Sequence, residues 1–191
     1  MQLKLNLPNM LIIFRILLIP VFLLFFLSAE PVPGEPYFRL AAMVVFLIAA
    51  ITDFFDGLLA RRWNTVSNFG KLMDPLADKM LVCSALIALA HRQELAAWVV
   101  VVIICREFWV TALRQLALEQ GQAVIAASMW GKIKTVLQIV MIVALIAGMG
   151  TDELFGQFGT IVATILVYAA VIATIVSAVD YTNDYKDVFK A

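Results

Sequence analysis

The chain has 191 residues, 63% of them hydrophobic and only 15% charged, a balance outside that of soluble domains and within that of proteins that thread a membrane several times. Its 14 basic and 14 acidic side chains cancel, so no basic surface argues for nucleic acid, and the basic residues inform through where they lie. No internal repeat, low-complexity run or linker divides the chain, and one domain over residues 1–191 is the expectation.

Residues 1–8 are mixed and read as a brief interfacial helix leading into a first span at 10–28. No small-residue cleavage site follows that apolar run and several more runs come after it, so it reads as a membrane segment rather than a removable leader. Arg15 within it has two readings, a topology anchor whose stem snorkels or a residue facing a site. Pro20 predicts a kink. Residues 29–36 hold Pro31, Pro33, Gly34 and Pro36 and form a short loop. A second span follows at 37–61, then a polar connection over 62–69 in which Ser67 or Asn68 could cap the next helix. A start near Lys71 puts Pro75 in the first turn, where a missing N–H costs nothing, and this third span runs to residue 90.

His91 falls in the next turn and reads as a solvated loop residue. The fourth span, 95–118, places Arg106, Glu107, Thr111 and Arg114 toward the membrane surface, and residues 119–122 form a loop. The fifth span, 126–149, opens with Lys132 and Lys134, and the sixth, 160–179, runs into a polar tail. Cys83 and Cys105, both in apolar runs, read as buried packing residues. The expected fold is therefore all-α, a polytopic bundle of six transmembrane helices with a short N-terminal interfacial helix. Of the 14 lysines and arginines, all but Arg39 and Arg92 fall on one side of such a bundle, which the positive-inside rule puts in the cytoplasm together with both termini.

Four carboxylates stand at the cytoplasmic ends of the second and third spans. At helical spacing Asp53, Asp56, Gly57 and Ala60 fall at i, i+3, i+4 and i+7, and Gly70, Asp74 and Asp78 at i, i+4 and i+8. Each helix thus shows an acidic stripe flanked by small residues, and two such stripes make an oxygen-rich cleft. Charge of this density beside hydrocarbon needs a strong partner. Oxygen-only donors suit Mg²⁺ or Mn²⁺ rather than zinc, and neither the two cysteines nor His91 is placed to supply softer ligands. Gly57 and Ala60 leave room for a ligand near the backbone, and Arg61 offers a fork of donors suited to phosphate. Metal, space and cation together read as a diphosphate site. The bland alternative, an interfacial charge cluster paired with Arg61, Arg62 and Lys71, would not require small residues in register with the acids.

The full spacing D-x2-D-G-x2-A-R-x8-G-x3-D-x3-D resembles the signature of the CDP-alcohol phosphatidyltransferase family, matched at Asp53, Asp56, Gly57, Ala60, Arg61, Gly70, Asp74 and Asp78. The resemblance implies a six-helix membrane enzyme that moves a phosphatidyl or similar group from a CDP-linked lipid to an alcohol, releasing CMP. It implies two divalent cations, Mg²⁺ or Mn²⁺, held by Asp53, Asp56, Asp74 and Asp78, with Asp78 also the candidate base. Asp56, Gly57, Ala60, Arg61 and Gly70 would frame the CDP moiety, and a homodimer in the bacterial cytoplasmic (inner) membrane is expected.

Arg106, Arg114, Lys132 and Lys134 are four cations at the depth of the carboxylates, suited to an anion or, as the bland reading, to lipid headgroups. The pattern R-E-x6-R followed by G-K-x-K-T-x2-Q, with the opening P-N-M-L-I-I-F-R, is similar to the branch of the family whose acceptor is glycerol 3-phosphate and whose donor is CDP-diacylglycerol. That resemblance makes the four cations the acceptor-phosphate site, with Asn9, Arg15, Lys71, Glu107, Thr111, Thr135 and Gln138 as supporting residues. Inositol phosphate is the runner-up acceptor, since it also carries a phosphate. Two rivals fit less well. A cation transporter would place its acids near the midplane within a repeat, and a diphosphate-binding prenyltransferase does not account for the Ala-Arg and second-glycine spacing.

Overall fold

The computed structural model describes residues 7–28, 36–63, 68–120, 128–150 and 152–186. They form six helices and no strand: α1 Leu7–Ser28, α2 Pro36–Trp63, α3 Asn68–His91, α4 Ala97–Glu119, α5 Met129–Ile146 and α6 Asp152–Asp184. By length and apolarity Asn9–Ser28, Met129–Ile146 and Phe155–Asp184 are long enough to cross a membrane, and Tyr37–Thr52 is a shorter apolar stretch. Side chains such as Leu24, Val101, Phe108 and Ile161 are 57–66% exposed, a burden in water and the natural surface toward lipid. The chain is a helical membrane protein.

Residues 1–92 form one compact unit and residues 93–191 another. In the first, α1 packs on both α2 and α3, and α2 touches α3. The inward face of α1 is the run Asn9, Ile12, Arg15, Ile19, Phe22 and Phe26, spaced three or four apart as one face of a helix requires. Against it α2 buries Ala42, Phe46 and Ala49, and α3 buries Ala77, Leu81, Ala85 and Leu89. Small residues on two of the three helices let backbones approach, which is how helices associate where lipid removes the hydrophobic drive. Phe22 fills the space between, 5.6 Å from Phe26 and 5.8 Å from Phe46. At the end of α1, Arg92 lies over the Phe26 ring at 5.2 Å and donates to the Phe26 carbonyl at 3.2 Å.

In the second unit α4 and α5 both pack on α6. α4 turns Val99, Ile103, Arg106, Val110, Leu113 and Ala117 inward, and α5 turns in Lys134, Gln138, Met141, Ile142 and Leu145. α6 answers with Ala163, Ala170, Thr174, Ser177, Tyr181 and Tyr185.

Several expectations shift. α3 starts at Asn68, three residues before Lys71, so Pro75 lies beyond the first turn, where proline withholds a hydrogen bond from the helix. Ser67 lies outside the described residues, as do residues 1–6, where an interfacial helix is expected, and residues 29–35 and 121–122 of the expected loops, whereas Glu119 is the last residue of α4. α6 begins at Asp152 rather than residue 160, its first turn set off by Gly156 at φ 56°, ψ −159°, a conformation open essentially to glycine alone. It also continues past residue 179 to Asp184, because Tyr181 and Tyr185 pack on Val110, Leu113 and Ala117 and keep the polar tail helical. Cys105 is exposed and Cys83 half-buried, so neither is the buried packing residue expected: their positions on the helices face outward to differing degrees. His91 is exposed at the last position of α3.

Candidate active site

In the first unit the signature falls on helical backbone. Asp53, Asp56, Gly57, Ala60 and Arg61 lie in the last turns of α2, and Gly70, Lys71, Asp74 and Asp78 in the first turns of α3. The side chains of all but Asp78 lie outside the described residues, and Asp78 is half-buried. Among the described residues no three His, Cys, Asp or Glu side chains gather. As a donor set, the expected carboxylates of α2 and α3 would offer oxygen only, which suits hard divalent cations. On α1, Asn9 is 3% exposed and Arg15 is 0% exposed, both on the inward stripe, so Arg15 does not snorkel to a surface within its unit.

The second unit brings most of its charges together. Arg106 lies on the inward stripe of α4, and Lys134 lies on that of α5, the start of which is fixed by Ser128, whose hydroxyl accepts from the Gly131 N–H at 3.2 Å. Glu107 Oε1 accepts from Arg106 Nη1 at 3.1 Å and from the ammonium of Lys134. The other end of the Arg106 fork donates to Ser177 Oγ on α6 at 2.5 Å. Two turns along α4, Arg114 Nη2 donates to the Tyr181 hydroxyl at 2.6 Å. The guanidinium carbons of Arg106 and Arg114 stand 5.5 Å and 5.1 Å from the Tyr181 ring centre, within cation–π range. Among the described residues Arg106, Glu107, Arg114 and Lys134 are therefore linked, Arg106 and Lys134 through Glu107 and Arg106 and Arg114 through Tyr181.

The remaining expected residues are less central. Lys132, two positions before Lys134 and so on nearly the opposite face of α5, is exposed and makes none of these contacts. The Thr111 hydroxyl donates to the Glu107 carbonyl and that of exposed Thr135 to the Gly131 carbonyl, each within its own helix. Gln138, one turn deeper than Lys134, reaches Thr174 Oγ1 on α6 at 3.5 Å.

Ser128, Ser177 and Tyr181 were not singled out from the sequence. A signal was present: Thr174, Ser177, Tyr181 and Tyr185 recur at steps of three, four and four on one face of an otherwise apolar helix.

A helical membrane protein with a paired acidic signature and an internal cationic cluster defines a narrow class. The model of the CDP-alcohol phosphatidyltransferase family matches residues 5–176, and the chain belongs to that family. It is similar to the CDP-diacylglycerol–glycerol-3-phosphate 3-phosphatidyltransferase of Bacillus subtilis strain 168, with 44% identity over 92% of this chain and 93% of the relative. The protein of the same name from Haemophilus influenzae is 36% identical over 93% and 92%, and that of Escherichia coli K12 is 42% identical over 71% and 73%.

Proposed function

We propose that the chain transfers the phosphatidyl group of CDP-diacylglycerol to glycerol 3-phosphate, giving phosphatidylglycerophosphate and CMP. The observation that carries the choice of acceptor is the gathering of three cations in the second unit, Arg106 and Lys134 on Glu107 and Arg114 with Arg106 on Tyr181. A neutral alcohol has no use for that charge. The names of the similar proteins support the same donor and acceptor.

In this reading the acceptor's 1-hydroxyl oxygen attacks the phosphorus that carries the diacylglycerol. A new P–O bond forms there, the bridging P–O bond to CMP breaks, and CMP leaves with the electron pair. Asp78 takes the hydroxyl proton. Asp56, Gly57, Ala60, Arg61 and Gly70 frame the CDP moiety, Arg61 meeting a diphosphate oxygen. Asp53, Asp56, Asp74 and Asp78 would hold two divalent cations, Mg²⁺ or Mn²⁺, which when bound neutralise the diphosphate. Arg106, Arg114 and Lys134 hold the acceptor phosphate, and Lys132, exposed on another face of α5, is left out of that role.

One family model running across both compact units supports a single functional domain. The distribution of Lys and Arg supports a bacterial cytoplasmic membrane location with the cleft and both termini in the cytoplasm. The homodimer rests on the family resemblance. The test of function is an acceptor panel: purified protein in detergent, CDP-diacylglycerol and Mg²⁺, with CMP release scored against glycerol 3-phosphate, inositol phosphate, inositol and serine. Release dependent on glycerol 3-phosphate is expected, and equal rates with inositol phosphate would overturn the acceptor.

A further inference from the structure

Tyr181 is 2% exposed, yet two guanidinium groups, of Arg106 and Arg114, lie over its ring. Its hydroxyl oxygen accepts twice, from Arg114 Nη2 at 2.6 Å and from the Ser128 backbone N–H at 3.3 Å. A phenol oxygen that has filled both acceptor positions still carries one hydrogen to donate. Beside it, Arg106 Nε and Arg114 Nε are both buried and lack a hydrogen-bond partner among the described residues. A buried donor left unpaired costs about 1–3 kcal/mol, and three unspent donors around one aromatic ring mark a place for a group rich in acceptor oxygens. Charge points the same way. Arg106 and Arg114 lie over one ring and Glu107 is bonded to the first of them, so a phosphate monoester would meet positive charge there.

We propose that Tyr181 is an acceptor-recognition residue: its ring holds the guanidinium groups of Arg106 and Arg114 in place, and its hydroxyl hydrogen goes to an oxygen of the acceptor's phosphate. The inference rests on the reading that this cluster takes that phosphate. The ring's seat is tight. A methyl group added at Gly131 in the first turn of α5 would stand 3.2 Å from Tyr181 Cε2 and 3.3 Å from its hydroxyl, so the ring is set directly against backbone.

Tyr181→Phe keeps the ring and removes only the hydroxyl. It is expected to raise KM for glycerol 3-phosphate about tenfold, the loss of one hydrogen bond to a charged group, with kcat and the KM for CDP-diacylglycerol within about twofold. Inhibition by inorganic phosphate, competitive with the acceptor, should weaken in the same proportion. Tyr181→Leu, which also removes the cation–π face, should raise acceptor KM further. Melting temperature in the same detergent is followed for each variant. An unchanged acceptor KM and phosphate inhibition constant in Tyr181→Phe overturns the proposal, whatever the melting temperature does. If the wild-type protein releases no CMP in response to glycerol 3-phosphate, the reading of the pocket fails and the role of Tyr181 falls with it.

Discussion

The two compact units keep charge in an apolar bundle in opposite ways. In the second, opposite charges sit side by side: Glu107 serves both Arg106 and Lys134, and Ser177 and Tyr181 each accept from one further terminal nitrogen, of Arg106 and Arg114 respectively. In the first, like charges recur at helical spacing, Asp53 with Asp56 and Asp74 with Asp78, an arrangement that repels itself when no ligand is bound. A mixed cluster brings its own counter-ions and contributes to holding the helices together. A like-charge stripe adds no such mutual attraction among its own members. Substitutions in the first unit should therefore act on turnover and spare stability, whereas those in the second should act on stability and affinity together.

The largest effect is expected at the acids. Asp53→Asn or Asp74→Asn should abolish cation-dependent CDP binding and lower CMP release by at least about a hundredfold, since metal stabilisation of developing charge is worth several kcal/mol. With a chelator present, the same variants should melt no lower than wild type, because a self-repelling charge has been removed. A fall in melting temperature without metal would mean that these acids are structural ion-pair partners. Asp78→Asn should keep CDP binding and lose turnover on the order of a hundredfold, as expected of a general base. Retention of more than about a tenth of wild-type turnover would deny it that role.

Next comes the carboxylate of the second unit. Glu107→Gln removes the carboxylate that accepts from the buried ammonium of Lys134 and from one arm of Arg106. Breaking a buried pair from one side costs about 3–5 kcal/mol, so a marked drop in melting temperature should appear even without substrate. Removing both partners is gentler. Glu107→Gln combined with Lys134→Met should melt above Glu107→Gln alone, and a strictly additive loss would show that the two side chains are not coupled.

How much of this was legible in the sequence differs between the units. The six helices follow from apolar runs and their interruptions, and the acids announce themselves because function there rests on spacing along two short segments. The cations of the second unit were legible as cations, but their organisation was not. Arg106 meets Ser177 across 71 positions and Arg114 meets Tyr181 across 67, and nothing local in the sequence says which hydroxyl will face which guanidinium. Lys132 and Lys134 look alike in sequence, and only the helix geometry separates the buried member from the exposed one. The polar tail after residue 179 hid Tyr181 because its charge and amides resemble a chain end, while the packing that keeps it helical lies on α4.

Arg114 gives a smaller effect than Glu107 on stability and a cleaner one on affinity. Arg114→Gln should weaken glycerol 3-phosphate by about 1.5–3 kcal/mol, roughly ten- to a hundredfold in KM, the range for a charge-assisted hydrogen bond. KM for CDP-diacylglycerol should barely change. Lys134→Gln should match it in KM but lose more stability, because Lys134 is also tied to Glu107. A loss confined to the donor in either variant would move these residues out of the acceptor site.

The smallest expected effect separates recognition from stability within the second unit. Gly131 lies in the first turn of α5, where alanine is the better helix former by about 0.8–1 kcal/mol in a helix interior and somewhat less near an end. Its added methyl group would meet Tyr181 at 3.2–3.3 Å, closer than ordinary contact, so the ring must yield by a few tenths of an ångström. The two terms oppose each other, and the melting temperature of Gly131→Ala should stay near that of wild type. The ring, however, carries both arginines and its hydroxyl accepts from Arg114 and Ser128, so displacing it disturbs the two arginines and the hydroxyl proposed to meet the acceptor. Acceptor KM should rise about two- to fivefold, a cost under about 1 kcal/mol, as for one weakened hydrogen bond, with the donor KM unchanged. If acceptor KM stays flat while Tyr181→Phe raises it, the hydroxyl matters and the exact seat of the ring does not. If both stay flat, the cationic cluster holds its anion without Tyr181.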